Sequence, residues 1–222
     1  MRLSLEHLWR ASIYRLKLVA RGRIDLVWYA LRSRFKGFDF ASVSLEKLGL
    51  SPERSILHGN SGGPDLARVL KTITISPGSR LVDFGSGKGG AVLTLSEFPF
   101  AEIAGVELSA DLIRIAEANV RRADLRHVRF VHADAADFTE LDRFTHVYMY
   151  HPFPCNVVKE VMANLAKSLA RVERDVTLIY ANPVCHDTIL EAGFFTLEAE
   201  FQGRDKFGVY RHDAGGGRGK SS

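Results

Sequence analysis

The stretch Arg80-Leu-Val-Asp-Phe-Gly-Ser-Gly-Lys-Gly-Gly90 constrains this chain more than any other. An apolar run passes into an acidic residue and then into four glycines within six positions. Glycines at 85, 87 and 89 let a backbone turn pass close to a ligand, because no Cβ stands between them. Asp83 falls at the carboxyl end of the apolar run, where open α/β sheets bind their ligands. Such a chain folds as an α/β protein whose first strand feeds a ligand-binding turn.

The glycines alone leave the ligand open. Gly85, Gly87 and Gly90 satisfy the dinucleotide pattern G-x-G-x-x-G, which is weak by itself. Asp83 argues for another ligand. A carboxylate two residues before the first glycine repels a pyrophosphate, the anion that such a loop and helix N-terminus attract. It suits a cation, such as an ammonium or a sulfonium. Glu107 ends the next apolar run, Glu102-Ile-Ala-Gly-Val-Glu107, where a carboxylate can bond both hydroxyls of a ribose. Asp134 ends the third run, Val128-Arg-Phe-Val-His-Ala-Asp134. Three carboxylates at three successive strand ends are far more specific than the glycines.

Asp83, Gly85, Gly87 and Gly89 together resemble the acidic-x-Gly-x-Gly-x-Gly motif of the class I S-adenosylmethionine-dependent methyltransferases. Glu107 in Val-Glu-Leu-Ser matches that family's second acidic position, and Asp134 in His-Ala-Asp-Ala-Ala-Asp-Phe its third. The resemblance spans roughly residues 60–211. It implies an α/β fold: a doubly wound, seven-stranded, mostly parallel sheet with an antiparallel last strand. It implies S-adenosyl-L-methionine as the cofactor. Asp83, Gly85, Ser86, Gly87 and Gly89 would hold the amino-acid end, Glu107 the ribose, and Asp134 with Ala135 the adenine. Phe138 reads equally as an adenine contact and as core.

The acceptor side is expected in Met149-Tyr-His-Pro-Phe-Pro-Cys155. In the family this place holds the Asn/Asp-Pro-Pro-Tyr/Phe motif of amino-group methyltransferases. Here His151, Pro152 and Phe153 resemble a relaxed form in which His replaces Asn. A neutral imidazole still accepts a hydrogen bond, and it can act as a base near neutral pH, which Asn cannot. The other reading is a loop histidine bonded to its own backbone. The loop Gly-Ser-Gly-Lys-Gly resembles that of seven-strand lysine methyltransferases, which puts a protein lysine first among nitrogen acceptors. A nucleic-acid base and a small molecule stay open, as does a non-catalytic binding module that keeps the fold.

Composition and charge organise the rest. A chain of 222 residues fits one α/β domain with an extension. The expected division is a basic N-terminal helical extension over 1–57, the methyltransferase domain over 58–213 and a disordered tail over 214–222. Residues 1–36 carry Arg2, Arg10, Arg15, Lys17, Arg21, Arg23, Arg32, Arg34 and Lys36 against only Glu6 and Asp25. Leu5, Leu8, Trp9, Ile13, Leu16 and Val19 recur at helical spacing, and Val27, Trp28 and Leu31 further on. Two readings stand side by side. One is a helix pair packed on the domain with a solvated basic face. The other is a basic amphipathic helix lying on a membrane or on nucleic acid.

No apolar run reaches the ~20 residues of a membrane span. Charges break the N-terminal apolar residues, so no secretory signal is read, although an Arg-rich, acid-poor start imitates an organelle transit peptide. Cys155 and Cys185 sit at no motif spacing, which points to free thiols and a cytoplasmic protein. With His151 and His186 they match no zinc pattern, and no metal is expected. Strands are expected near 80–84, 103–107, 128–132, 145–150, 175–180, 194–202 and 206–212. Helices are expected near 64–73, 88–97, 109–123, 156–171 and 185–192. The turn 58–64 reads either as a lid over the cofactor or as an ordinary loop.

Overall fold

A computed structural model of the chain describes residues 23–41, 43–56 and 60–215. Contacts divide it into two compact units, Met1–Asp39 and Phe40–Ser222. The smaller unit, Met1–Asp39, contains helix α1 (Ile24–Phe35). The expected helix before it, and residues 216–222 of the expected tail, lie outside the described residues.

In the larger unit, α2 (Leu45–Leu48) and α3 (Pro64–Leu70) precede an alternating series of strands and helices. The series runs β1 (Arg80–Phe84), α4 (Gly90–Leu95), β2 (Glu102–Glu107), α5 (Ala110–Arg122), β3 (Val128–His132) and β4 (His146–Tyr150). It continues with α6 (Cys155–Arg171), β5 (Val176–Ala181), α7 (His186–Glu191), β6 (Thr196–Gln202) and β7 (Lys206–His212). The strands form one sheet in the order β3-β2-β1-β4-β5-β7-β6. The pairs β3–β2, β2–β1, β1–β4 and β4–β5 are parallel. The last strand, β7, is antiparallel to both β5 and β6. The seven-stranded, doubly wound expectation is met.

Burial explains why these runs are strands. All six residues of β5 are buried, and so are the last four of β1. Parallel strands covered on both faces read as continuous apolar runs. The two-residue period then sends alternate side chains to opposite layers. Val82, Phe84, Val147, Met149, Leu178 and Tyr180 join one core with Val158, Val161, Met162 and Leu165 of α6. Leu81, Ile103, Tyr148 and Ile179 join the other, with Leu66 and Leu70 of α3 and Val92 and Leu95 of α4. Edge strand β6 exposes Glu198 and Glu200, the latter paired with Lys206, and charge on an edge discourages pairing with another chain.

Local chemistry sets the helix ends. The Ser109 hydroxyl accepts the Leu112 N–H at 3.4 Å, Asp111 lies in the first turn of α5, and Arg121 and Arg122 lie in its last. Helix α4 starts at residue 90 rather than 88 because Gly87 and Gly89 hold positive φ. Strand β6 starts at 196 rather than 194, since Phe195 is buried and Phe194 packs edge-on against His212. Leu165→Ala removes a fully buried side chain between α6 and the sheet. It is expected to cost about 2–5 kcal/mol in urea unfolding.

Candidate active site

Strand order reverses at β1, which has β2 on one side and β4 on the other. Chains leaving these strands diverge and leave a crevice at their carboxyl ends. The glycine turn fills one side of it. Gly85, Gly87 and Gly89 adopt φ of 72°, 53° and 76°. The N–H groups of Gly85 and Ser86 both donate to Val106 O, at 2.9 and 3.1 Å, which ties the turn to β2. A Cβ on Gly85 would stand 2.3 Å from Pro152 Cβ, so only glycine lets the turn meet the loop after β4.

Asp83 is 2% exposed, and its Oδ2 is buried with no hydrogen-bond partner. Burial, and secondarily the nearby Glu107, push its carboxyl up to about 8. Ser86 Oγ is likewise buried without a partner. An unpartnered buried carboxylate is costly, and a cationic group placed against it removes the cost. The turn therefore fits the amino-acid end of S-adenosylmethionine, whose ammonium Asp83 would hold.

Glu107 is 3% exposed. Its Oε2 accepts the Gly87 N–H and its Oε1 the Ser109 N–H, both at 2.9 Å. It thus locks the turn to the end of β2 while facing the same crevice. Asp134 accepts the Ala136 N–H at 2.9 Å through Oδ1. Its Oδ2 accepts two bonds from the Arg54 guanidinium, at 2.9 and 2.6 Å. Arg54 also reaches Glu160 at 3.2 Å. Asp134, through both a side-chain hydrogen bond and its charge, raises the Arg54 pKa above its ordinary value.

Two cavities line this crevice. One lies between Gly85–Lys88 of the turn and Phe40, Val43 and Leu48, with Asn60 and Tyr150 at its side. The other is bounded by Glu107, Asp134, Ala135, Pro152 and Phe153, with Arg54 and Ser55 over it. The segment 43–56 is thus a strap across the crevice, fastened where the Ile56 N–H donates to Pro152 O at 3.0 Å. Among the expected cofactor residues, Gly85, Ser86, Gly87, Glu107, Asp134 and Ala135 line these two cavities, whereas the buried Asp83 and Gly89 line neither. Arg54 and Tyr150 are further lining residues. Tyr150 was legible only as the residue before His151, and Arg54 carried no signal, being 80 residues from its partner.

The loop after β4 splits its three residues. Pro152 packs on Gly85 and shares the second cavity with Phe153, which is also part of the core beside α6. His151 lines neither cavity among the described residues. It holds φ of +36°, its Nδ1 is buried without a partner, and burial lowers its pKa, so the ring is neutral at pH 7. Phe138 packs edge-on against Phe84 at 6.1 Å and belongs to the core.

The cysteines require a correction. They are not free thiols: Cys155 and Cys185 form a disulfide with Cα atoms 5.4 Å apart. They are distant in sequence, but β4 and β5 are neighbours, so the starts of α6 and α7 meet. The bond closes a loop of 30 residues. Chain entropy assigns such a closure about 3–4 kcal/mol. Reduction by dithiothreitol is therefore expected to lower the melting temperature, and a Cys155→Ser/Cys185→Ser protein should not respond to it.

Residues 81–174 match the family model described as a methyltransferase domain. A comparison with the curated proteins gives no match. Among solved structures, a SAM-dependent methyltransferase from Aquifex aeolicus aligns with TM-score 0.53 and 16% identity over 66% of this chain and 88% of that one. An RNA methyltransferase from Salinibacter ruber in complex with S-adenosyl-L-homocysteine aligns with TM-score 0.54 and 18% identity over 70% and 94%. A ribosomal protein L11 methylase from Lactobacillus delbrueckii subsp. bulgaricus aligns with TM-score 0.52 and 13% identity over 67% and 77%. The methyltransferase domain matched over residues 81–174, carried on this seven-stranded sheet, gives the chain the fold of the class I S-adenosylmethionine-dependent methyltransferases.

Proposed function

We propose that the protein methylates a nitrogen acceptor, with a protein lysine as the first class. The observation that carries the cofactor half is the buried Asp83 carboxyl beside the glycine turn, whose Oδ2 has no hydrogen-bond partner. When bound, the cofactor supplies a methyl group on a sulfonium, an already activated leaving group. The protein's work is then to align the acceptor and exclude water. Asp83 and the turn hold the amino-acid end, Glu107 the ribose, and Asp134 with Ala135 the adenine. The strap over the crevice keeps water out.

A lysine arrives as an ammonium and must lose a proton before it attacks. His151 supports this reading, because its ring is neutral and its buried Nδ1 has no partner. Pro152 and Phe153 fix its loop against the glycine turn. The L11 methylase neighbour agrees with a protein acceptor, and the RNA methyltransferase neighbour supports a nucleic-acid base as second reading. His151→Gln is expected to lower kcat about 100-fold or more with cofactor affinity unchanged. Radiolabelled methyl transfer into a host lysate, split into protein, nucleic-acid and small-molecule fractions, decides the acceptor. Label on protein, recovered as methyl-lysine after hydrolysis, is the expected outcome, and label confined to nucleic acid overturns the lysine assignment.

A further inference from the structure

We infer that α1 is a docking helix for an anionic lipid membrane. The helix has two unlike faces. Leu26 and Ser33 are buried, seven residues and so almost two full turns apart, on one side. Ile24, Trp28, Leu31 and Phe35 follow one another at spacings of four, three and four, which makes a single stripe. That stripe faces away from Leu26 and Ser33 and is exposed: Ile24 by 51%, Trp28 by 68%, Leu31 by 39% and Phe35 by 94%. A solvated helix of a folded unit puts its apolar stripe on the buried side. Here the largest apolar side chains are on the open side.

Charge selects the occupant. At about 100° per residue, Arg32 and Arg34 fall on opposite flanks of the stripe, and Lys36 follows at its end. All three are exposed. The only acidic residue of the helix, Asp25, is paired with Arg23 at 3.1 Å. Residues 1–36 hold nine basic and two acidic residues, so the rest of the chain is net negative although the whole is +4. An apolar stripe edged by basic side chains matches a bilayer surface, where acyl chains take the stripe and lipid phosphates the flanks. Trp28 and Phe35 are residue types that settle at that boundary. No described helix is long and apolar enough to cross a membrane, so the contact is in the plane of the surface.

The test is flotation of the full chain with vesicles of phosphatidylcholine alone, and with about one third phosphatidylserine. The expected result is flotation with phosphatidylserine only, weakening as salt rises. Trp28→Glu/Phe35→Glu places both changes on exposed positions, and it should lower partitioning at least tenfold while cofactor affinity stays unchanged. Arg34→Glu/Lys36→Glu, which keeps the stripe, should remove the salt-sensitive part. Equal flotation of Trp28→Glu/Phe35→Glu and the parent overturns the inference. So does a stripe-dependent dimer, or stripe-dependent RNA binding, in a chain that floats with neither vesicle.

Discussion

Asp83→Asn is expected to weaken S-adenosylmethionine binding at least 100-fold and to stabilise the ligand-free fold. The two effects share one cause. The Asp83 carboxyl titrates near its ordinary value of 3.8 when unfolded and is pushed up to about 8 when folded, chiefly because it is buried. The folded chain therefore keeps a proton that the unfolded chain has released. Stability from this group is complete below pH 4, falls as pH rises toward 8, and is flat beyond. Asn carries no such penalty, although its amide also wants a partner. By this shift the gain is expected to be up to about 5 kcal/mol at pH 8 and under about 1 kcal/mol at pH 4. Urea titrations of both proteins at the two pH values read it directly, and a gain that does not grow with pH refutes the account. Binding a cation needs the ionised carboxylate, so affinity in the parent protein should rise between pH 6 and 8.

Gly85→Ala is the second large effect. Its φ of +72° is strained for any residue with a Cβ, and that Cβ would lie 2.3 Å from Pro152 Cβ. Left-handed strain of about 1–2 kcal/mol adds to overpacking of about 1–3 kcal/mol. A loss of about 2–5 kcal/mol is expected, with methyl transfer lost as the turn and the loop after β4 are forced apart. Gly49→Ala is the control. Its φ is +65° but nothing lies within 4 Å of the new Cβ, so only the strain remains. Equal melting temperatures for the two variants would show that the contact with Pro152 carries no weight.

The fold was legible in the sequence because burial on both faces turns parallel strands into bare apolar runs, and three of those runs end at or beside a carboxylate. Asp83, Glu107 and Asp134 could be found that way, since strand ends and the switch point are consequences of local pattern and topology. The strap could not. Residues 43–56 carry little periodicity, and Arg54 meets Asp134 only because the chain folds back over β3. The disulfide was hidden for the same reason, as Cys155 and Cys185 become neighbours through the pairing of β4 with β5. Phe138 could not be placed from sequence because core and ligand contacts demand the same side chain. Trp28 and Leu31 of the exposed α1 stripe were visible, with Val27, as helical spacing, but Ile24 and Phe35 were not, and only the buried positions of Leu26 and Ser33 show which way the stripe faces.

Calorimetric titration of S-adenosylmethionine into the full chain at pH 8, with Asp83→Asn and NAD as comparisons, tests the central claim most directly. The crevice described here predicts saturable one-to-one binding by the parent chain, none measurable by Asp83→Asn, and none of NAD by either. No heat at millimolar S-adenosylmethionine, or equal affinity in the two proteins, would contradict it.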